Sequence, residues 1–167
     1  SPIVNLLPLA ALQDWTFAAA DYLHNGQSEQ LVQLTKNAIN PILKATLGKD
    51  EGANSLKKLF TTLETITSNM QTCRGLPITQ EDDVFKLKQS IESSSADIIP
   101  PLVPVIKEIE RSFSNFSADA NTINGLHAAK WCYKNRMYQQ AITILQETIV
   151  TMVCEKTNLP IENDKTR

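Results

Sequence analysis

The chain has 167 residues, of which 42% are apolar, 20% charged and 6% aromatic, with 5 Gly and 8 Pro; this is the profile of one globular domain and excludes a disordered or fibrous chain. Its 16 basic and 18 acidic residues leave a net charge of −2, too small for a global field that would draw nucleic acid or an anionic membrane, so any such contact must come from a local patch. No apolar run approaches the length of a membrane span and the opening SPIVNLLPLAALQDW has no basic flank, so no anchor, no signal peptide, no membrane partner and a cytoplasmic location are expected.

Helical periodicity recurs along the sequence. Leu12, Trp15, Ala19 and Tyr22 share one stripe of a helix over about 8–24, closed by Asn25-Gly26. Ser28 is placed to cap a second helix carrying Leu31, Leu34, Ala38 and Ile42 through Pro41, where a kink or restart is expected, and Gly48 ends it. The third has the cleanest pattern, Leu56, Leu59, Phe60, Leu63, Ile66, Met70 and Cys73, before Gly75-Leu76-Pro77 stops it. Thr79 and Asp82 are spaced to cap a short fourth helix through Val84, Leu87 and Ile91, and Ser93-Ser94-Ser95 then marks a joint near 92–100.

Beyond the joint, Leu102, Ile106, Ile109, Phe113 and Phe116 form a narrow apolar seam on a helix introduced by two prolines. A sixth helix carries Leu126, Ala129 and Cys132. A seventh carries Tyr138, Ile142, Leu145, Ile149 and Met152, and the short turn Tyr133 to Met137 makes the pair an antiparallel hairpin. No segment alternates like a strand, so the expected fold is all-α, a bundle of about seven helices with that hairpin at its C-terminal end. Leu145 and Ile149 read as core positions, and residues 1–167 read as one helical domain.

Chemistry is sparse in this sequence. Cys73, Cys132 and Cys154 form no C-x-x-C pair and no metal set, and are expected to be reduced, small hydrophobes within helices. His24 is placed to interact with the end of the first helix, and His127 has no acidic sequence neighbour. Glu81, Asp82 and Asp83 suit the first turn of a helix, so no metal site is expected. No phosphate loop or nucleophile elbow is present. Lys130, Lys134 and Arg136 form the one compact basic cluster, readable as solvated charge at a hairpin tip or as an RNA contact. Gln146 and Glu147 interrupt the apolar repeat, either as boundary residues or as local organisers of a cleft.

The stretch from Gly125 to Cys154, GLHAAKWCYKNRMYQQAITILQETIVTMVC, resembles the helical region of CRISPR-associated type III ancillary proteins, in which a CARF sensor domain precedes a HEPN ribonuclease domain. The resemblance rests on the tryptophan-containing helix, the short polar turn, Tyr138-Gln139-Gln140, and Thr143-Ile144-Leu145-Gln146-Glu147. Leu9 to Gly26, with Trp15 and an Ala-rich helix ending in His-Asn-Gly, is similar to the helical segment after the sensor. The middle, from about 48 to 100, matches in helical character alone. Ala129, Tyr133, Tyr138 and Ala141 also mimic one tetratricopeptide unit, without the repetition a solenoid needs.

The resemblance implies an antiviral defence ribonuclease in which a cyclic oligoadenylate bound to the sensor switches on cleavage of single-stranded RNA, with paired effector domains. It divides the chain into a linker-type helical part, 1–95, and a partial HEPN-like part, 96–167. The family's catalytic signature is an arginine followed within a few residues by a histidine, acting on phosphate charge and on the ribose hydroxyl or leaving oxygen. None of Arg74, Arg111, Arg136 or Arg167 is so followed, which places the signature beyond Arg167 and the sensor before Leu6. The expectation is therefore a fragment without catalysis or cofactor of its own, with Gln146 and Glu147 in support, Lys130, Lys134 and Arg136 toward RNA, no DNA partner, and self-association into a homodimer. The competing reading is a helical protein-interaction module whose hairpin, 120–157, offers a groove to a partner helix.

Overall fold

The computed structural model describes residues 7–94 and 98–157, with side chains from residue 12 onward. Among the described residues the chain forms α1 (Leu7–Asn25), α2 (Glu29–Ala45), α3 (Glu51–Gln71), α4 (Gly75–Gln80), α5 (Asp83–Glu92), a 3-10 turn (Pro100–Leu102), α6 (Val103–Phe113), α7 (Ile123–Lys134) and α8 (Tyr138–Thr157), and no strand. The protein is an all-α bundle. The helix beyond the seven indicated by periodicity is α4: Gly75-Leu76-Pro77 follows the end of α3 and also opens the next helix. Pro77 falls in the first turn, where an N–H has no intrahelical partner to lose.

α3 is the central element, burying Leu56, Leu59, Phe60, Leu63, Ile66 and Met70 and packing against α2 and α5. Its N-terminus is fixed by Asp50, whose carboxylate accepts a hydrogen bond from Ala53 N at 2.7 Å, a cap the sequence reading does not include. Ser28 behaves differently from its expected capping role. Its hydroxyl makes no cap bond; it meets Thr67 Oγ1 at 2.7 Å in the interior. Thr67 already donates to Leu63 O at 2.9 Å, so Ser28 is the donor, and the buried pair ties the start of α2 to α3. α2 continues through Pro41 to Ala45. The Thr79–Asp82 cap is also corrected: Thr79 lies inside α4 and donates to Gly75 O at 3.1 Å, while Asp82 precedes α5 without a side-chain cap bond.

The seam of α6 is buried as its spacing indicates, with Leu102, Ile106, Ile109, Phe113 and Phe116 all in the core. Asn124, itself buried, clamps the loop into α7 by accepting from Ser117 N at 2.7 Å and donating to Ser117 O at 3.1 Å. Lys88 on α5 donates to Phe116 O at 2.7 Å. One cluster of buried side chains spans both sides of the joint near 92–100, from Ile66, Val84 and Leu87 to Leu102 and Phe113; residues 95–97 of that joint lie outside the described residues.

α7 and α8 form the antiparallel hairpin and make the most extensive contact of any helix pair. Gly125 is the point of closest approach, since a Cβ there would stand 2.2 Å from Thr148 Oγ1. Thr148 is buried and donates to Ile144 O at 2.6 Å. This rotates α8 so that Ala141, Ile144 and Thr148 face inward. The expected core positions Leu145 and Ile149 are thereby corrected: they are 40% and 50% exposed, beside Ile142 at 58%. Leu12, expected on the buried stripe of α1, is also exposed, while Ala18 and Tyr22 carry that contact.

This rotation predicts the stability of neighbouring variants. Ile144→Ala should cost about 2–5 kcal/mol in urea unfolding, whereas Leu145→Ala should stay below about 1 kcal/mol. The reverse ranking would mean that α8 is turned the other way.

Candidate functional site

The hairpin carries the side chains singled out by chemistry, and the structure distributes them over different sides of it. The apolar side of α8 runs through Tyr138, Ile142, Leu145, Ile149 and Val153, all exposed and confined to about 80° of the helix at 100° per residue. Leu126, half-buried on α7, completes the face with Ala129 and Tyr133. Leu126, Ala129, Lys130, Tyr133, Ala141, Ile142 and Leu145 together line a groove of about 340 Å³. At its end Tyr133 and Tyr138 meet edge to face, ring centroids 5.4 Å apart.

Lys130 is exposed on the rim of that groove. Lys134 lies exposed one turn further along α7, and the carboxyl of Glu108 on α6 is held below its ordinary range first by Arg111, which hydrogen-bonds it, with the positive charge of Lys134 adding to the effect. Arg136 lies in the turn with a φ of 63°. Met137 N bonds Cys132 O at 2.9 Å and Arg136 N bonds Tyr133 O at 3.1 Å, the paired bonds of a Schellman ending with Arg136 in the left-handed position. The turn is therefore Asn135 to Met137, shorter than Tyr133 to Met137, because α7 continues through Lys134.

Glu147 follows Ile142 by five residues, which places it about 140° around α8 from the groove. Its Oε2 stands over Gly75, where a Cβ would come within 2.9 Å, so the carboxylate lies beside the positive end of α4. Gln146 is exposed. The structure therefore does not bring Gln146 and Glu147 together with the basic residues. Gln140, which sequence reasoning missed, reaches α3 and donates to Gln71 O at 3.5 Å; nothing in its local sequence signals this. Glu108 and Arg111 were also missed. Their i, i+3 spacing on α6 was the available signal, and Arg111 binds Glu108 through Nε at 2.7 Å and Nη2 at 2.5 Å.

The remaining candidates are structural. His24 is exposed in the last turn of α1, and His127 packs against Phe116 with ring centroids 5.5 Å apart. Cys132 is buried, and burial, followed by the neighbouring Cys73, pushes its thiol up to about 12. Cys73 departs from its expected helical place: it follows the end of α3 with a φ of 54°. Among the described residues no group of three His, Cys, Asp or Glu could hold a metal ion, and no helix is long and apolar enough to cross a membrane. Comparison with protein-family models, with curated proteins and with solved structures returns no match.

Arg136 gives a direct test of the hairpin's geometry. Removing its Cβ relieves the left-handed strain, so Arg136→Gly should stabilise the fold by about 0.5–1 kcal/mol despite the added chain entropy. A melting temperature lowered by this substitution would show that the side chain is held by contacts outweighing the backbone cost.

Proposed function

We propose that this chain is the helical effector region of a CRISPR-associated type III antiviral defence ribonuclease, a HEPN-like scaffold in a parent regulated by cyclic oligoadenylate, with the α7–α8 hairpin as its docking face. The observation that carries the reading is that the stretch resembling this family, Gly125 to Cys154, folds as one hairpin whose outer stripe is left uncovered: Ile142, Ile149 and Val153 are each at least half exposed. An apolar face of this extent, bearing Lys130 as its neighbouring charge, calls for a cover of similar polarity. A second copy supplies it. Two hairpins stacked face to face form a four-helix arrangement, and residues at four- and three-residue spacing suit helix-on-helix packing. Lys130, Lys134 and Arg136 are then the cations directed at single-stranded RNA, and the Arg-to-His chemistry belongs to a part of the parent outside this sequence.

The second reading, a protein-interaction module, draws on the groove between Leu126, Tyr133 and Leu145, which has the apolar lining that receives the anchor residues of a foreign helix.

Sedimentation and RNA assays separate the two. Self-association that rises with concentration and weakens at least tenfold in Ile142→Asp, without loss of helical signal, is expected for the effector reading. The chain alone should leave single-stranded RNA intact with or without cyclic oligoadenylate. A monomer at all concentrations favours the module, and metal-independent cleavage by the pure chain refutes the assignment of catalysis to another segment.

A further inference from the structure

Leu47 is 85% exposed, the most of any large apolar side chain among the described residues. It also stands in the left-handed conformation, with a φ of 51°, which a residue bearing a Cβ adopts only against its own sterics. Two costs thus fall on one residue, at a helix end where glycine would remove both. The turn that carries it is firmly held. Gly48 N bonds Leu43 O at 2.8 Å, Lys49 N bonds Thr46 O at 3.0 Å, and Asn54 Nδ2 on α3 donates to Gly48 O at 2.7 Å. A Cβ added at Gly48 would meet nothing within 4 Å, so the tip projects clear of the protein. Lys44 and Lys49 flank the leucine, both exposed and without an ion pair among the described residues.

A cleft of about 180 Å³ lies between α5 and α6, lined by Lys88, Ile91, Glu92, Glu110, Phe113 and Ser114. The ammonium of Lys88 is turned to the backbone, donating to Phe116 O at 2.7 Å and to Ser114 O at 3.5 Å. The charge left at the cleft is therefore that of Glu92 and Glu110, both exposed and without an ion pair among the described residues. We propose that Leu47 of one copy seats in this cleft of a second copy, with Lys44 and Lys49 against Glu92 and Glu110. The sizes agree. A cavity of about 150 Å³ admits benzene, so the cleft has room for the four carbons of a leucine beside Ile91 and Phe113. Charge then selects between the two grooves of the molecule. The one between α7 and α8 is larger, but it has Lys130 on its rim and no carboxylate in its lining, so it repels the two lysines that the α5–α6 cleft attracts. A turn already fixed by its hydrogen bonds enters without the entropy of ordering a loop. The contact uses surfaces other than the α7–α8 stripe and stands independently of the docking proposed there.

The test is sedimentation of the full chain carrying Ile142→Asp, which removes association through the α7–α8 stripe, taken to millimolar concentration because one anchor and a small contact bind weakly. Association should persist in this background and weaken as salt is raised. Leu47→Gly is the discriminating change. It should weaken the remaining association at least tenfold and yet leave the melting temperature equal or higher, because the strained turn is relieved. Glu92→Lys together with Glu110→Lys should weaken association to the same extent with the helical signal intact. Mixing these two variants should restore pairing, one to one, because the first keeps the cleft and the second keeps the leucine. Unchanged association in either variant overturns the contact, and so does a mixture that fails to pair. A lowered melting temperature in Leu47→Gly would mean that the leucine is used within its own copy, which also overturns it. Absence of association in the Ile142→Asp chain at every concentration overturns this contact alone, since the stripe is judged by comparing that chain with its parent.

Discussion

The arrangement of the hairpin depends on the approach of α7 to α8 at Gly125. Only a residue without a side chain permits Thr148 to lie against that helix, since an added Cβ would fall 2.2 Å from its hydroxyl. The approach fixes the rotation of α8, and with it which of two apolar stripes is spent on the core. Small residues, Ala141 and Thr148 with Ile144, go inward because close helices leave little room between them. The larger Tyr138, Ile142, Leu145 and Ile149 are turned outward as a consequence. α7 imposes a similar condition on the far side of the bundle, where Trp131 rests against Gly26. Gly26 has a φ of 70° and no room for a Cβ, 2.6 Å from the indole, so conformation and packing both require glycine there.

This explains why α8 was the element least legible in the sequence. α3 and α6 each carry a single apolar stripe with polar residues opposite, and periodicity identifies the buried side chains Leu56 to Met70 and Leu102 to Phe116 correctly. α8 carries apolar residues on two sides. Choosing the bulkier stripe as core follows from average burial, and it fails where a glycine lets two helices come close enough that alanine and threonine make the better interface.

Helix endings were legible to within a few residues where glycine follows them, at Gly26, Gly48 and Gly75, but the residues that turn left-handed at the ends of α2, α3 and α7 are Leu47, Cys73 and Arg136, with φ of 51°, 54° and 63°. Each is followed by the same pair of bonds back into its helix, as from Gly48 N to Leu43 O and from Arg74 N to Asn69 O, both at 2.8 Å. The paired bonds hold non-glycine residues in these positions, which the local propensity of Leu, Cys and Arg does not encode. Ser28 shows the same override. It has the sequence place of a cap, yet its hydroxyl is worth more in the interior beside Thr67, where an unpaired polar group would be costly.

Among the candidate site residues, one-dimensional spacing was a fair guide to proximity on a helix and a poor one to the side faced. Lys130 and Lys134 are one turn apart, but only the first borders the apolar groove. Gln146 and Glu147 follow directly from the groove-lining Leu145, and one further residue of helical rotation carries Glu147 to the side of α4. The hairpin consequently has separate working sides. A partner helix laid along Ile142, Leu145 and Ile149 would come up to Lys130 and leave Arg111 and Lys134 in solvent. The apolar stripe and the carboxylate of Glu147 therefore occupy different sides of α8, and a helix laid along the stripe would leave Glu147 at the start of α4 undisturbed.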